Sequence, residues 1–195
     1  MESRLVDQLD FLVEVDKLKS TFRQTLLIDK SRQENSAEHS WHLALMAMVL
    51  AEYAAEKINL DRVIKMAIVH DLVEVYAGDV SCYDEKARAC SEQKEKEAAD
   101  KLFALLPPEQ AKEIRSLWEE FDKAETPDAR FASAVDRLQP FLNNYKTDGH
   151  SWVVHKVTSD KVYKRINVVK TAIPVLWEFV EFVIRDSIAK GHIIK

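Results

Sequence analysis

Three glycines in 195 residues leave almost no backbone for tight hairpin turns, and five prolines add little more. A many-stranded sheet needs such turns at short intervals. The chain is therefore expected to be all-α, and its apolar residues agree, recurring at helical spacing almost throughout. Leu5, Leu9, Leu12 and Val15 form one such stripe. The polar, irregular stretch 23–36 reads as a loop. Asn35 followed by Glu38 has the form of a capping box and opens a helix over about 36–56. Asn59 caps the next, over about 60–76, and Gly78 stops it. A charged stretch, 84–97, reads as a solvated helix face or loop and leads into a helix that Pro107-Pro108 break. Another runs to about 123. Thr126-Pro127-Asp128 places a cap, a proline and an acid in the order that starts a helix. A last long helix is expected over about 159–190, with Pro174 as a kink and Gly191 as its end. No repeat, low-complexity segment or linker divides the chain, so residues 1–195 read as one helical domain.

Charge and cysteine usage narrow the function classes. A net charge of -5 argues against a general polyanion binder, so no nucleic-acid partner is expected. Cys82 and Cys90 form no framework and no CxxC pair, as suits reduced thiols. The acidic, amphipathic start is no secretory signal, and no apolar run reaches the ~18 residues that span a bilayer. No membrane partner and a cytoplasmic location are expected. The late helix carries Val175, Trp177, Phe179, Phe182 and Val183, more apolar surface than one face needs, which points to a partner surface.

The stretch MAIVHDLVEVYAGDV, residues 66–80, is where chemistry first shows. An apolar helical run ends in adjacent His70 and Asp71, with Glu74 a turn later and Asp79 just past Gly78. Acids at a helix C-terminus oppose the helix dipole, so a cation is expected nearby. His39, in AEHSWHLALM, and Asp136, in FASAVDRLQPFL, are the other side chains suited to hold one. Asp136 is set among apolar residues, where an unpaired carboxylate costs several kcal/mol if buried. Pro140 also deprives the Asp136 carbonyl of its helical donor, so a bend is expected there. Two imidazoles and two carboxylates suit one divalent transition metal such as Co, Mn, Fe, Ni or Zn. Each piece alone also fits a surface pair, a helix-start histidine or a salt bridge to Arg137 or Arg130. His42 reads as a packing residue or a support behind the metal.

The set H…HD…D over a helical bundle resembles the HD-domain metal-dependent phosphohydrolases. RQENSAEHSWHLALMA, AIVHDLVEVYAGDV and ASAVDRLQPFLNNYKTDG, within about 32–149, are similar to the signature blocks of the bacterial 5'-deoxynucleotidase branch. The resemblance implies an HD-type helical bundle in which His39, His70, Asp71 and Asp136 hold one divalent metal. It makes Glu74 the catalytic acid or base, and Asp79 the acid that holds the attacking water and the substrate. It puts phosphate recognition on Arg23-Gln24, with Arg32 as a rival. The family's Trp after that Arg is Gln24 here, so selectivity for the deoxy sugar is not carried over. The expected activity is hydrolysis of (deoxy)nucleoside 5'-monophosphates to nucleoside and phosphate, by a homodimer. The four-ligand set fits a phosphodiesterase or a nucleotide pyro- or triphosphohydrolase equally, and a metal-stabilised interaction module without activity is the rival outside enzymes.

Overall fold

The computed structural model describes residues 3–80 and 85–195, with no side-chain description for 85–91. Cys82 and Cys90 therefore lie outside the described side chains. The chain opens with α1 (Ser3–Val15) and a 3-10 turn (Asp16–Ser20), then a two-stranded antiparallel ribbon, β1 (Phe22–Leu26) and β2 (Gln33–Asn35). Helices α2 (Ser36–Leu50), α3 (Leu60–Val69), α4 (Glu74–Ala77) and α5 (Glu85–Phe103) follow. Next come α6 (Pro108–Lys123), α7 (Pro127–Lys146), α8 (His150–Val154), α9 (Ser159–Ile166), α10 (Val168–Ala172) and α11 (Trp177–Ala189).

Helix α7 is the axis of the molecule. It packs against α2, α3, α6, α9, α10 and β1, and it buries Phe131, Ala132, Ala134, Val135, Leu138 and Phe141. Being surrounded, it carries buried polar residues as well: Asp136, Gln139, Asn143 and Asn144. Small side chains on this helix let its neighbours approach closely. The helix runs unbroken through Pro140, whose carbonyl accepts a 2.9 Å hydrogen bond from the Asn144 side chain. Around it a single core gathers Leu43, Met66, Phe131, Ile166 and Ile184, each burial contributing roughly 1.5–3 kcal/mol.

Local chemistry accounts for the helix starts. Asn35 accepts from the Glu38 amide at 2.9 Å while the Glu38 carboxylate accepts from the Asn35 amide at 3.1 Å, a complete capping box at α2. Asn59 caps α3 and Thr126 caps α7, with Pro127 at the first helical position.

Four expectations from the sequence change. The stretch 23–36 is not a loop throughout but contains the β1–β2 ribbon, with Phe22 opposite Asn35 and Leu26 opposite Gln33. Its strands are held by packing of β1 on α7 and α8 rather than by strand propensity, which Gln33-Glu34-Asn35 lack. The helix expected over 60–76 stops at Val69, turns through His70–Val73 and resumes as the short α4. The long final helix is divided into α9, α10, a 3-10 turn at Pro174–Leu176 and α11. Ile173, forced out of the helical region by the proline after it, sits at φ -140°, ψ 67°. Finally, the α1 stripe faces solvent at Leu5, Leu9 and Leu12, and α1 packs instead through Phe11. On α11, Val183 is buried in the core, while Val175 before it and Phe179 and Phe182 on it are exposed. Among the described residues no helix is long and apolar enough to cross a membrane.

The capping box tests how much α2 depends on its first turn. Asn35→Ala is expected to lower the unfolding free energy by about 1 kcal/mol, measured by urea denaturation.

Candidate metal centre

The first turn of α2, the end of α3 and the middle of α7 meet in the interior. The capping box fixes where α2 begins, and His39 is the fourth residue of that helix, fully buried. Because α3 stops at Val69, the vicinal pair His70 and Asp71 escapes the roughly 100° separation that a regular helix imposes on neighbours. His39 Nε2 lies 3.0 Å from Asp136 Oδ1 and 3.9 Å from Asp71 Oδ2. His70 Nε2 lies 3.0 Å from Asp71 Oδ1 and 3.7 Å from Asp136 Oδ1. One donor atom each from His39, His70 and Asp136 falls within 4.8 Å of the others.

Both rings are aimed by their second nitrogen. His70 Nδ1 is 2.9 Å from the Ala67 carbonyl, and His39 Nδ1 is 3.0 Å from Gln139 Oε1. Each acceptor favours a proton on Nδ1, so that with a cation bound Nε2 of both rings would be the ligating atom. His70 Nε2 is buried, and its 3.0 Å approach to Asp71 Oδ1 lacks hydrogen-bond geometry. An orphaned imidazole nitrogen between two carboxylates is the arrangement that a divalent cation satisfies.

A cavity of about 280 Å³ opens onto this cluster. Arg23 from β1, Glu74 at the start of α4, and Asp79 line it, as do Gln24, Trp118, Phe121 and Arg165. Arg23 donates to Asp71 Oδ2 at 2.7 Å and stands 3.9 Å from both Asp79 and Glu34. The Ser36 hydroxyl donates to Glu74 Oε2 at 2.6 Å. Arg32 is elsewhere: it forms a two-pronged pair with Glu38 at 2.9 and 2.5 Å and is absent from the cavity lining.

A profile of the HD domain matches residues 15–177. The chain belongs to the HD-domain family. Human 5'-deoxynucleotidase HDDC2 is 31% identical over 135 residues, 69% of this chain and 65% of that protein. The Xenopus laevis protein of the same name is 33% identical, over 69% and 66%. The chain thus spans just under two thirds of the length of these curated relatives. A crystal structure titled as a predicted metal-dependent phosphohydrolase from Magnetospirillum magnetotacticum superposes with a TM-score of 0.94 at 47% identity, covering 100% of this chain and 97% of that one. PH0347 from Pyrococcus horikoshii, at 22% identity and a TM-score of 0.65, shares the fold over 91% and 98%.

Family membership and the buried donor set together support a divalent metal in this HD domain. The charges around it are finely opposed. Burial alone would lift the carboxyls of Asp71 and Asp136. The two imidazoles, with Arg23 beside Asp71 and Arg165 3.5 Å from Asp136, outweigh it and hold both well below the ordinary carboxylate range. Burial disfavours protonated His70, but Asp71 and Asp136 prevail and raise it to about 9. For His39 burial and the nearby Arg23 win, and the ring is held neutral. Burial pushes up both Glu74 and Asp79 against the pull of Arg23, and Asp71 reinforces the rise; Glu74 is raised furthest.

Sequence reasoning missed Glu34, Ser36, Gln139 and Arg165. Gln139 carried a signal, being three residues after Asp136 and so on the same helix face. Arg165 carried none, since its approach depends on how α9 packs against α7.

Glu34 yields a pH prediction. Its carboxyl is buried and burial lifts it from 4.5 to about 7, against Arg23 and the Gln139 amide. The folded chain then keeps a proton that the unfolded chain loses, so stability falls as pH rises between those values. With a chelator present, Glu34→Gln should gain on the wild type by up to about 3 kcal/mol across that window. Urea unfolding on either side of it reads the difference, and parallel pH profiles for the two proteins would refute a buried ionisation here.

Proposed function

We propose that this chain is a metal-dependent nucleotidase that hydrolyses (deoxy)nucleoside 5'-monophosphates to nucleoside and orthophosphate. The observation that carries the reading is the His39–His70–Asp136 donor cluster beside a cavity lined by Arg23 and an acid, Glu74, whose carboxyl is raised well above its ordinary value by burial and by Asp71. The relatives named 5'-deoxynucleotidase support the substrate class. In this reading His39, His70, Asp71 and Asp136 hold the ion, whose identity among Co, Mn, Fe, Ni and Zn is left open by the ligand types. When bound, a divalent ion supplies Lewis acidity at the phosphoryl oxygens and a water of lowered pKa.

The protein's own groups divide the remaining work. Arg23, with Gln24 beside it on β1, orients the phosphate and offsets charge on its equatorial oxygens. Asp79 holds the attacking water and takes its proton as the new bond to phosphorus forms. Glu74, half-buried and raised well above its ordinary value, is the acid that gives a proton to the 5'-oxygen as that bond to phosphorus breaks. Ser36 fixes the Glu74 carboxyl by donating to Oε2. Arg32, bound to Glu38 outside the cavity, has a structural part at the α2 cap. The chain works in the cytoplasm as a homodimer, with exposed Val175, Phe179 and Phe182 as surface for a second copy to cover.

A phosphate-release screen over ribo- and deoxyribonucleoside monophosphates, run with each candidate metal, tests the function. Orthophosphate with the free nucleoside is the expected product pair; pyrophosphate or triphosphate would refute the reading. Glu74→Ala should keep its metal and lose at least about a hundredfold in turnover. Near-wild-type turnover in that variant would remove Glu74 from the mechanism.

A further inference from the structure

We propose that Gln139 and Glu34 are positioning residues for the metal site, a two-link relay that fixes the tautomer and ring orientation of His39. The proposal rests on the metal reading above and extends it beyond the four ligand positions. Gln139 is fully buried on α7, and Glu34 is almost fully buried on β2. Gln139 Oε1 lies 3.0 Å from His39 Nδ1. Gln139 Nε2 donates to Glu34 Oε1 at 2.6 Å and lies 3.3 Å from His42 Nδ1.

A carboxamide has a donating end and an accepting end, and rotating it by half a turn exchanges them. The Glu34 oxygen at 2.6 Å is an acceptor, so Glu34 selects the nitrogen end and leaves the oxygen end for His39. The oxygen accepts only, so the His39 proton belongs on Nδ1 and the Nε2 lone pair faces Asp136 and His70. With the amide reversed, an N–H would confront Nδ1. The proton would then move to Nε2, the atom that must be bare to ligate. His70 is aimed differently, by the backbone carbonyl of Ala67, which no side-chain change removes. The two histidines therefore differ: one is set by the helix itself, the other by a removable side-chain relay.

The relay also has a second end. Glu34 Oε2 has no hydrogen-bond partner and lies 3.9 Å from Arg23 Nε. The ribbon that delivers Arg23 to the cavity thus delivers the residue that orients the amide behind His39.

Calorimetric titration of the folded, metal-free chain with cobalt(II) tests the relay. Gln139→Leu and Glu34→Leu are each expected to weaken binding roughly 10- to 100-fold. Glu34→Gln should stay close to wild type, because its amide oxygen accepts the same bond. The double variant Gln139→Glu with Glu34→Gln should also bind, since the new carboxylate accepts from both His39 and the new amide. The unfolding temperature of each metal-free variant is read in parallel. A merely structural role would lower that temperature and leave cobalt affinity at the wild-type value, and that outcome overturns the proposal. Failure of Glu34→Gln to restore what Glu34→Leu loses overturns it too. His39→Ala separates the two claims. If it binds cobalt as tightly as wild type, the metal reading fails and the relay with it. If it loses binding while Gln139→Leu keeps it, the relay alone fails.

Discussion

Holding two carboxylates ionised inside a protein is the demand around which this structure is arranged. Asp71 and Asp136 sit within bonding distance of buried imidazoles, where each isolated charge would cost several kcal/mol. The chain answers with positive charge from three directions. Arg23 comes from the ribbon, Arg165 from α9, and a proton on His70 from solvent. A divalent ion held by these residues would take the place of that proton and supply the remaining positive charge. Burial raises Glu74 and Asp79, and Asp71 adds to it at both while Arg23 works against it. Asp71 and Asp136 are thus held ionised, while Glu74 is raised well above its ordinary value and Asp79 less, a difference of the kind that separates a proton donor from a proton acceptor.

Placement of these groups follows from where helices stop. A continuous helix through 60–76 would have turned His70 and Asp71 to different neighbours. Ending α3 at Val69 lets both face the cluster, and α4 then begins with Glu74 at the cavity wall. On the other side, the box of Asn35 and Glu38 sets the first turn of α2, which carries His39 inward. Between them runs α7, enclosed by neighbours and therefore able to present Asp136 and Gln139 to the interior.

Much of this was legible in residue order. Asn35 with Glu38, Asn59, and Thr126 with Pro127 mark helix starts through local hydrogen bonding, so the structure repeats them. His39, His70 and Asp136 come together as the pattern of acids at 70–79 and the lone acid on an apolar helix had suggested, and Asp71 joins them through 3.0 and 3.9 Å approaches to the two rings. What stayed hidden depended on tertiary packing. The ribbon was unreadable because Gln33-Glu34-Asn35 has no strand propensity and exists through its contacts. The α1 stripe marked one helical face, yet the helix docks through Phe11, since periodicity reveals a face but not what covers it. Glu34, inside the stretch read as a loop, gave no hint of being buried. Arg32, nearer in sequence to the first histidine than Arg23, is turned away because Glu38 claims it.

Arg23 already has company before any phosphate arrives. Its guanidinium is bonded to Asp71 and faces Asp79 and Glu34, so an incoming anion does not meet a vacant cation. In the proposed reading an anion docking on Arg23 competes with the Asp71 carboxylate, a rival that tempers its attraction, helps the phosphate product to leave and never diffuses away.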